Sequence, residues 1–141
     1  MDRVSDEEVL YRCVRREYIM VEDGRLRLGS LAFTDPRFRP SVDRAKLRNH
    51  DPQRTQVDST DGVVSLIAAD IRNISDISQR TDRGDIVQRY AIDVEPAPLT
   101  ENAAHAEVHG VPEFESRSAF KKLLLRLAEI ARWELLPKSV D

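Results

Sequence analysis

Three stretches of the chain have the hydrophobic patterns of β-strands. Residues 9–14 (VLYRCV) are rich in β-branched and aromatic side chains. In a strand over residues 86–94, one face carries Ile86, Gln88, Tyr90, Ile92 and Val94. Residues 63–71 are apolar on both faces, which is typical of a central strand covered on two sides; a buried helix has the same pattern. The chain is therefore predicted to build a sheet with at least one buried strand.

A β-hairpin is predicted between residues 18–22 and 25–29. These two arms flank Asp23-Gly24, a dipeptide that supplies the positive φ angles of a tight turn. Residues 30–33 are predicted to continue the second arm. The expected unit is a hairpin whose second strand is longer than its first.

Two helical signals occur, one near each end of the chain. Residues 5–8 (SDEE) have the spacing of a capping box, which predicts a helical turn. The clearer signal is an amphipathic helix that begins after Ser116 or Ser118 and runs to about Leu136, with Trp133 near its end. Its predicted apolar stripe consists of Phe120, Leu123, Leu124, Leu127, Ile130, Ala131 and Leu135.

The polar segments 37–62 and 72–85 are predicted to be irregular, with one short helix after Ser41. The remaining elements are several strands and one long helix at the C-terminal end. This pattern predicts an α+β fold, a twisted and mostly antiparallel sheet with the C-terminal amphipathic helix packed on one face.

Composition predicts a single domain over residues 1–141. Of the 141 residues, 40% are hydrophobic and 33% are charged, the balance of a globular protein that buries a core without disulfides. Cys13 is the only cysteine, so no disulfide forms within the chain. No apolar run approaches the ~20 residues that span a bilayer, and the first residues lack a signal core. We expect a cytoplasmic protein with no membrane association.

Charge is spread unevenly along the chain. Residues 61–115 hold 4 basic and 11 acidic residues, and both flanking segments carry a net positive charge. An acidic middle argues against a chain that wraps nucleic acid, so nucleic-acid binding is only weakly supported. A local basic patch in segment 37–54 is the predicted anion-binding site; a merely solvated loop is the alternative. Its candidate residues are Arg37, Arg39, Arg44, Lys46 and Arg48.

The segment His105-Ala-Glu107-Val-His109 holds two of the three histidines. In a strand all three polar side chains share one face, but the histidines lie ~13 Å apart, too far for one metal ion. In a helix the histidines would meet one zinc ion, and Glu107 would point away. The strand and the helix bring different side chains together, so the segment cannot form both sites. No metal site is predicted.

Arg12, Ser30 and Glu107 form a second constellation. In this order, an arginine, a serine-bearing strand and a late glutamate resemble the pattern of ADP-ribosyltransferases. The resemblance implies that Arg12 grips dinucleotide phosphates and that Glu107 activates the acceptor. The chain departs from that family because residues 30–32 (SLA) lack the full Ser-Thr-Ser strand.

Short motifs over most of the chain also resemble a family of small uncharacterised bacterial proteins. These motifs are a Tyr-Arg strand at 11–12, Ser-x-Ala-Phe at 30–33, Ser-Val at 41–42 and His-Ala-x-Val at 105–108. The resemblance implies a strand at 105–108 and singles out His105, but it implies no activity.

Two functions remain open. The first is a protein that acts through a protein partner, with a polar pocket formed by Arg12, Ser30 and His105. The alternative is an enzyme acting on a nucleotide or RNA phosphate, with His105 as general acid or base and Arg12 holding the anion. Such an enzyme would be ADP-ribosyltransferase-like or hydrolytic, and the sequence indicates no particular cofactor.

Overall fold

Nine strands and two α-helices make up the computed structural model, which describes residues 2–138. The strands are β1 (Val9–Val14), β2 (Ile19–Glu22), β3 (Arg25–Leu28), β4 (Ser41–Arg44), β5 (Gly62–Ile67), β6 (Ile77–Arg80), β7 (Ile86–Pro96), β8 (His105–Val111) and β9 (Arg132–Leu135). The helices are α1 (Ala68–Arg72) and α2 (Arg117–Ile130). Seven strands form an antiparallel sheet in the order β6-β7-β8-β4-β1-β5-β9, and β2 pairs with β3 in a separate hairpin. The predicted α+β fold is confirmed.

The larger core lies on the face of the sheet that α2 covers. Leu10 and Val14 of β1 share this face with Val108 of β8, because side chains alternate between the two faces of a strand. The buried side chains that α2 adds are Ala119, Phe120, Leu123, Leu124 and Leu127. A smaller core on the opposite face contains Tyr11, Ala45 and Val63. Full burial of each large apolar side chain stabilises the fold by ~1.5–3 kcal/mol.

The predicted hairpin is confirmed as the pair β2–β3. Its turn residues Asp23 and Gly24 have φ angles of +53° and +75°, in the left-handed region that this dipeptide tolerates. Residues 30–33 do not continue β3, so that prediction is wrong. The Ala32 N–H donates to the Gly29 carbonyl at 3.1 Å, which closes a turn directly after the hairpin. Turning here buries Ala32 and Phe33 in the larger core.

The strand predicted over residues 63–71 stops at Ile67, where α1 begins. The Ala68 N–H donates to the Glu8 carbonyl at 3.0 Å, so the N-terminal segment satisfies one of the first N–H groups of this helix. The turn predicted at residues 5–8 is present, and the Ser5 N–H donates to Glu8 Oε2 at 2.8 Å. One of the two hydrogen bonds of a capping box, from the backbone N–H of Ser5 to the Glu8 carboxylate, is therefore formed, but no helix follows it.

The two segments predicted to be irregular each contain a strand. Strand β4 lies within 37–62 and β6 within 72–85, so those predictions are wrong at these positions. Segment 37–62 also contains two 3-10 turns, Ala45–Arg48 and Pro52–Arg54. Strand β4 has only one apolar residue. Its Arg44 pairs with Glu8, and its Asp43 pairs with Arg48 and accepts hydrogen bonds from Thr55 and Asn102. A strand of that kind has no hydrophobic pattern to reveal it.

The C-terminal helix begins after Ser116, as predicted, but it ends at Ile130 instead of Leu136. The chain then extends and forms β9 on the outer edge of β5. Trp133 therefore lies on a strand, and its predicted place on the helix is wrong. The two side chains that β9 turns toward the protein, Trp133 and Leu135, alternate with exposed ones, which is a strand period. Both helices are too short and too polar to span a bilayer.

The edges of the seven-stranded sheet are β6 and β9. Each is four residues long, and each has a register irregularity against its neighbour. Short, irregular edge strands discourage pairing with a strand of another molecule. The sheet therefore offers poor edges for strand addition, and binding sites are expected on its covering elements.

A buried ion pair ties the N-terminal segment to β4. Arg44 Nε donates to Glu8 Oε1 at 2.7 Å, and Arg44 Nη2 donates to Glu8 Oε2 at 2.9 Å. The same guanidinium donates to the carbonyls of Asp2 and Arg3, both at 3.2 Å. Arg44 is 3% exposed and Glu8 is 8% exposed. Burial alone would raise the pKa of Glu8, but the hydrogen bonds from Arg44 and Ser5 outweigh it and lower that pKa.

Candidate functional site

Arg12 is held by carbonyl groups of its own chain. Its guanidinium donates to three backbone carbonyls, those of Ala32 (3.2 Å), Thr34 (3.2 Å) and Ser41 (2.8 Å). The cationic carbon also lies 5.4 Å from the centre of the Phe33 ring. Burial lowers the pKa of Arg12 from its ordinary value. Arg12 thus attaches the turn after the hairpin to β4, and its main donors are occupied.

Arg12 and His105 lie on opposite faces of the sheet. Arg12 shares the face of Leu10 and Val14, whereas His105 alternates with Ala106, which is in the same core as Leu10. His105 Nδ1 lies 2.8 Å from the Ala97 carbonyl. Because a carbonyl only accepts, Nδ1 carries the proton in this contact.

Ser30 is exposed on the turn after the hairpin, at a surface hollow that it shares with Trp133. No described hydrogen bond joins Ser30, Arg12 and His105. The structure therefore does not bring the three residues into one cleft. The arrangement expected of an ADP-ribosyltransferase is also not assembled, since Ser30 is in a turn and Glu107 is bound elsewhere.

Glu107 lies at the centre of an arginine–glutamate cluster, which we define as Arg37, Arg39, Glu95, Glu107 and Glu113. Arg37 Nη2 donates to Glu107 Oε2 at 3.0 Å, and Arg39 Nε donates to Glu107 Oε1 at 2.9 Å. Arg39 also donates to Glu95 and Glu113. Glu107 is 8% exposed. Burial alone would raise the pKa of Glu107, but the two arginines outweigh it and lower that pKa, so this carboxylate is a poor proton acceptor.

The lowered pKa of Glu107 predicts a stabilisation that depends on pH. It is complete above the unfolded pKa of about 4.3 and is lost as pH falls through the lower folded pKa. In urea unfolding at pH 7 we expect Glu107→Gln to be ~1–2 kcal/mol less stable than the natural chain. The gap should narrow below a pH of about 4, where the natural carboxylate also becomes neutral.

The matched control is Glu101→Gln, because Glu101 is exposed and has no described ion pair. Its unfolding free energy should follow that of the natural chain at both pH values. A difference between Glu107→Gln and the natural chain that does not change between pH 7 and pH 3 would contradict this account of Glu107.

The five candidate anion-binding residues of segment 37–54 lie in ion pairs within the chain. All five candidates have a carboxylate oxygen within 4.0 Å, and these candidates are Arg37, Arg39, Arg44, Lys46 and Arg48. Arg44 is buried, so its guanidinium does not reach solvent. Arg48 Nη2 donates to Asn102 Oδ1 at 2.8 Å, and Asn102 in turn donates to Asp43. The candidate cations are thus paired, but Arg37 and Lys46 keep 67% and 38% of their side chains exposed, and anion binding there stays a prediction.

The segment 105–109 is a strand, so the strand alternative is the one the chain adopts. His109 Nε2 lies 3.6 Å from Glu95 Oε1, too far for a hydrogen bond. Among residues 2–138, no group of three His, Cys, Asp or Glu side chains is arranged to hold a metal ion.

A surface feature that sequence reasoning missed is the hairpin hollow. It is about 580 Å³ in volume and lies between the hairpin, the second half of α2 and β9. Its lining residues are Met20, Glu22, Leu26, Arg27, Leu28, Ser30, Leu125, Ala128, Glu129 and Trp133. The hollow was not predictable, because its walls come from three segments that are distant in sequence and Trp133 was assigned to a helix.

Gly62 makes room for the Trp133 ring that forms one wall of the hollow. A Cβ atom at Gly62 would lie 2.5 Å from Trp133 Cζ3 and 3.3 Å from the Leu135 carbonyl oxygen. We expect Gly62→Ala to displace the indole and to cost ~1–3 kcal/mol of unfolding free energy. Since Trp133 is the only tryptophan, its fluorescence emission reports the displacement directly.

Gly84→Ala is the control for this substitution, since a Cβ at Gly84 meets nothing within 4 Å. Its φ of +89° makes the alanine strained, so Gly84→Ala carries a backbone cost and leaves Trp133 untouched. The expected result is a shifted Trp133 emission in Gly62→Ala only. An unchanged emission spectrum in Gly62→Ala would contradict the described packing of Trp133.

In comparisons with protein-family models, with curated proteins and with solved structures, nothing matches this chain. The resemblance to small bacterial proteins therefore stays a prediction.

Proposed function

We propose that this protein acts by binding a partner protein, and that the partner's contact surface enters the hairpin hollow. The observation that carries the proposal is a group of solvent-accessible apolar side chains in a concave site. Met20 is 52% exposed and Leu125 is 49% exposed, and both line the hollow beside the half-buried Trp133. Single exposed apolar residues are ordinary, whereas a concave group of them is typical of a binding site.

The hollow has the composition of an interface centre with a polar rim. Tryptophan and methionine are enriched at the centres of protein interfaces, and an arginine often lies among the residues that contribute most to binding. Here Arg27 lies at the rim, where it forms an ion pair with Glu22 at 2.9 Å. The charged side chains at the rim are therefore exposed to water and already paired with each other. Burial of the apolar floor by a partner contributes most of the favourable free energy of binding.

The poor edges of the sheet support side-chain docking over strand addition. The contacts of the candidate catalytic residues also support binding over catalysis. Arg12 and Glu107 are both hydrogen-bonded to groups of their own chain, and His105 lies on the other face from Arg12. A pocket of three polar groups converging on a substrate is not present at these residues.

Photo-crosslinking in a lysate of the source cells tests the proposal. A benzophenone amino acid replaces Leu125 in one variant, and Val87 in the control variant. Val87 is a suitable control because it is 65% exposed, apolar and placed on the β6–β7 hairpin. We expect a defined adduct from position 125 and none of the same mass from position 87. No adduct at position 125, or identical adducts at both positions, would count against the proposal.

A further inference from the structure

A second, smaller pit lies beside α2 nearer the first turn of that helix, and sequence neighbours line it and the hairpin hollow; we call the two together the groove. The helix side chains that line it are Arg117, Lys121, Leu124, Leu125 and Ala128, which lie on one stripe at helical spacing. Ser30 and its neighbour Leu31 form the opposite wall, because Ser30 lines the hollow and Leu31 lines the adjoining pit. From Arg117 to Ala128 the stripe is ~16 Å long at 1.5 Å per residue.

The two ends of the groove differ in charge. Arg117 and Lys121 lie at one end, and within the described part of the chain neither has a carboxylate within 4.0 Å. The other end carries Glu22 and Glu129, which are paired with Arg27 and Arg126. The first end also contains the carboxylate of Asp35, so its two cations and one anion leave a formal charge of +1, and the second end is close to neutral.

The placement of the basic pair works against the stability of α2. The N-terminal turn of a helix favours acidic side chains, and the first turn of α2 contains none. Arg117 and Lys121 are also like charges at i and i+4, which repel each other. Side chains that lower the stability of their own helix and make no compensating contact in the fold are expected to have a binding role. Asp35 lines the same end, and its Oδ2 accepts the backbone N–H groups of Arg37 and Arg39; these bonds fix its position and leave its negative charge in place.

From these observations we infer that the partner presents an acidic amphipathic segment. Its apolar side chains cover Leu125 and Trp133, and its carboxylates lie against Arg117 and Lys121 at the other end of the groove. This inference rests on the proposed function and adds the chemistry and the direction of the bound segment. A basic segment would meet the unpaired cations and be rejected.

The test uses a displayed library of random peptides selected on the immobilised full chain. We expect selected peptides to combine apolar residues with Asp or Glu at one end. Their affinity should fall about tenfold in the double variant Arg117→Glu, Lys121→Glu, and it should fall as salt is raised. The matched control, Arg83→Glu with Arg89→Glu, reverses two exposed cations on the β6–β7 hairpin and should leave affinity unchanged.

The outcomes separate this inference from the proposed function. Peptides that lose binding in Leu125→Asp but not in the Arg117→Glu, Lys121→Glu variant would overturn the acidic partner and leave the hollow as the binding site. Selection of no peptide that Leu125→Asp weakens would overturn both.

Discussion

Replacing Glu8 by alanine is expected to destabilise the protein by ~3–5 kcal/mol, because the change leaves the Arg44 guanidinium buried without its counter-charge. Arg44 is 3% exposed, so water cannot replace the carboxylate. The Ser5 N–H loses an acceptor in the same change. Since the free energy of unfolding of a domain is only ~5–15 kcal/mol, the expected loss is a large fraction of the total stability. Urea unfolding at neutral pH measures the loss.

Two further variants compare the buried Glu8–Arg44 ion pair with a partly exposed ion pair. Asp76→Ala removes one of the two carboxylates paired with Arg126, in a partly exposed pair at 2.7 Å, and should cost at most ~1 kcal/mol. The double variant Glu8→Leu, Arg44→Met removes both buried charges and should recover part of the stability lost in Glu8→Ala. If Glu8→Ala were no more costly than Asp76→Ala, the described burial of the Glu8–Arg44 pair would be contradicted.

Phe120→Ala is expected to cost a comparable ~3–5 kcal/mol, since it leaves a cavity where α2 meets the sheet. Phe120 is 2% exposed and lies between two other rings, with centroid distances of 4.9 Å to Phe38 and 5.7 Å to Phe114. Its loss removes the transfer free energy of the ring, the edge-to-face contact with Phe114 and the tilted contact with Phe38. Thermal or urea unfolding of the purified variant measures the effect.

Leu125→Ala is the control on the same helix. Leu125 is 49% exposed and faces the hollow, so its truncation should change stability by less than ~0.5 kcal/mol. A Leu125→Ala variant as unstable as Phe120→Ala would mean that α2 packs on the sheet through a different face than the one described.

Strong local patterns predicted most of the regular elements. The Asp23-Gly24 turn, strand β7 and the start of α2 were predictable because each has a short-range signal in the sequence. Strand β4 was not, since its neighbours supply the partners of its charged side chains. The end of α2 was misjudged because the apolar residues after Ile130 continue the helical stripe, while β5 provides an open edge for them to pair with.

The sequence singled out individual residues of the candidate site, but it did not predict which of them lie together in space. Arg12 and Glu107 were identified as important, and both are, but as parts of contacts that hold the fold together. Their partners lie 20 to 70 positions away in the sequence. The hairpin hollow depends on three separate segments meeting, which no periodicity reports.

The most direct test of partner binding at the hairpin hollow is a fluorescence titration of Trp133 with the partner that is crosslinked through position 125. Binding should shift the Trp133 emission with a saturable dependence on partner concentration. We expect Leu125→Asp to abolish this saturable change and the matched surface variant Val87→Asp to retain it. Equal binding by Leu125→Asp and the natural chain would contradict partner binding at the hairpin hollow.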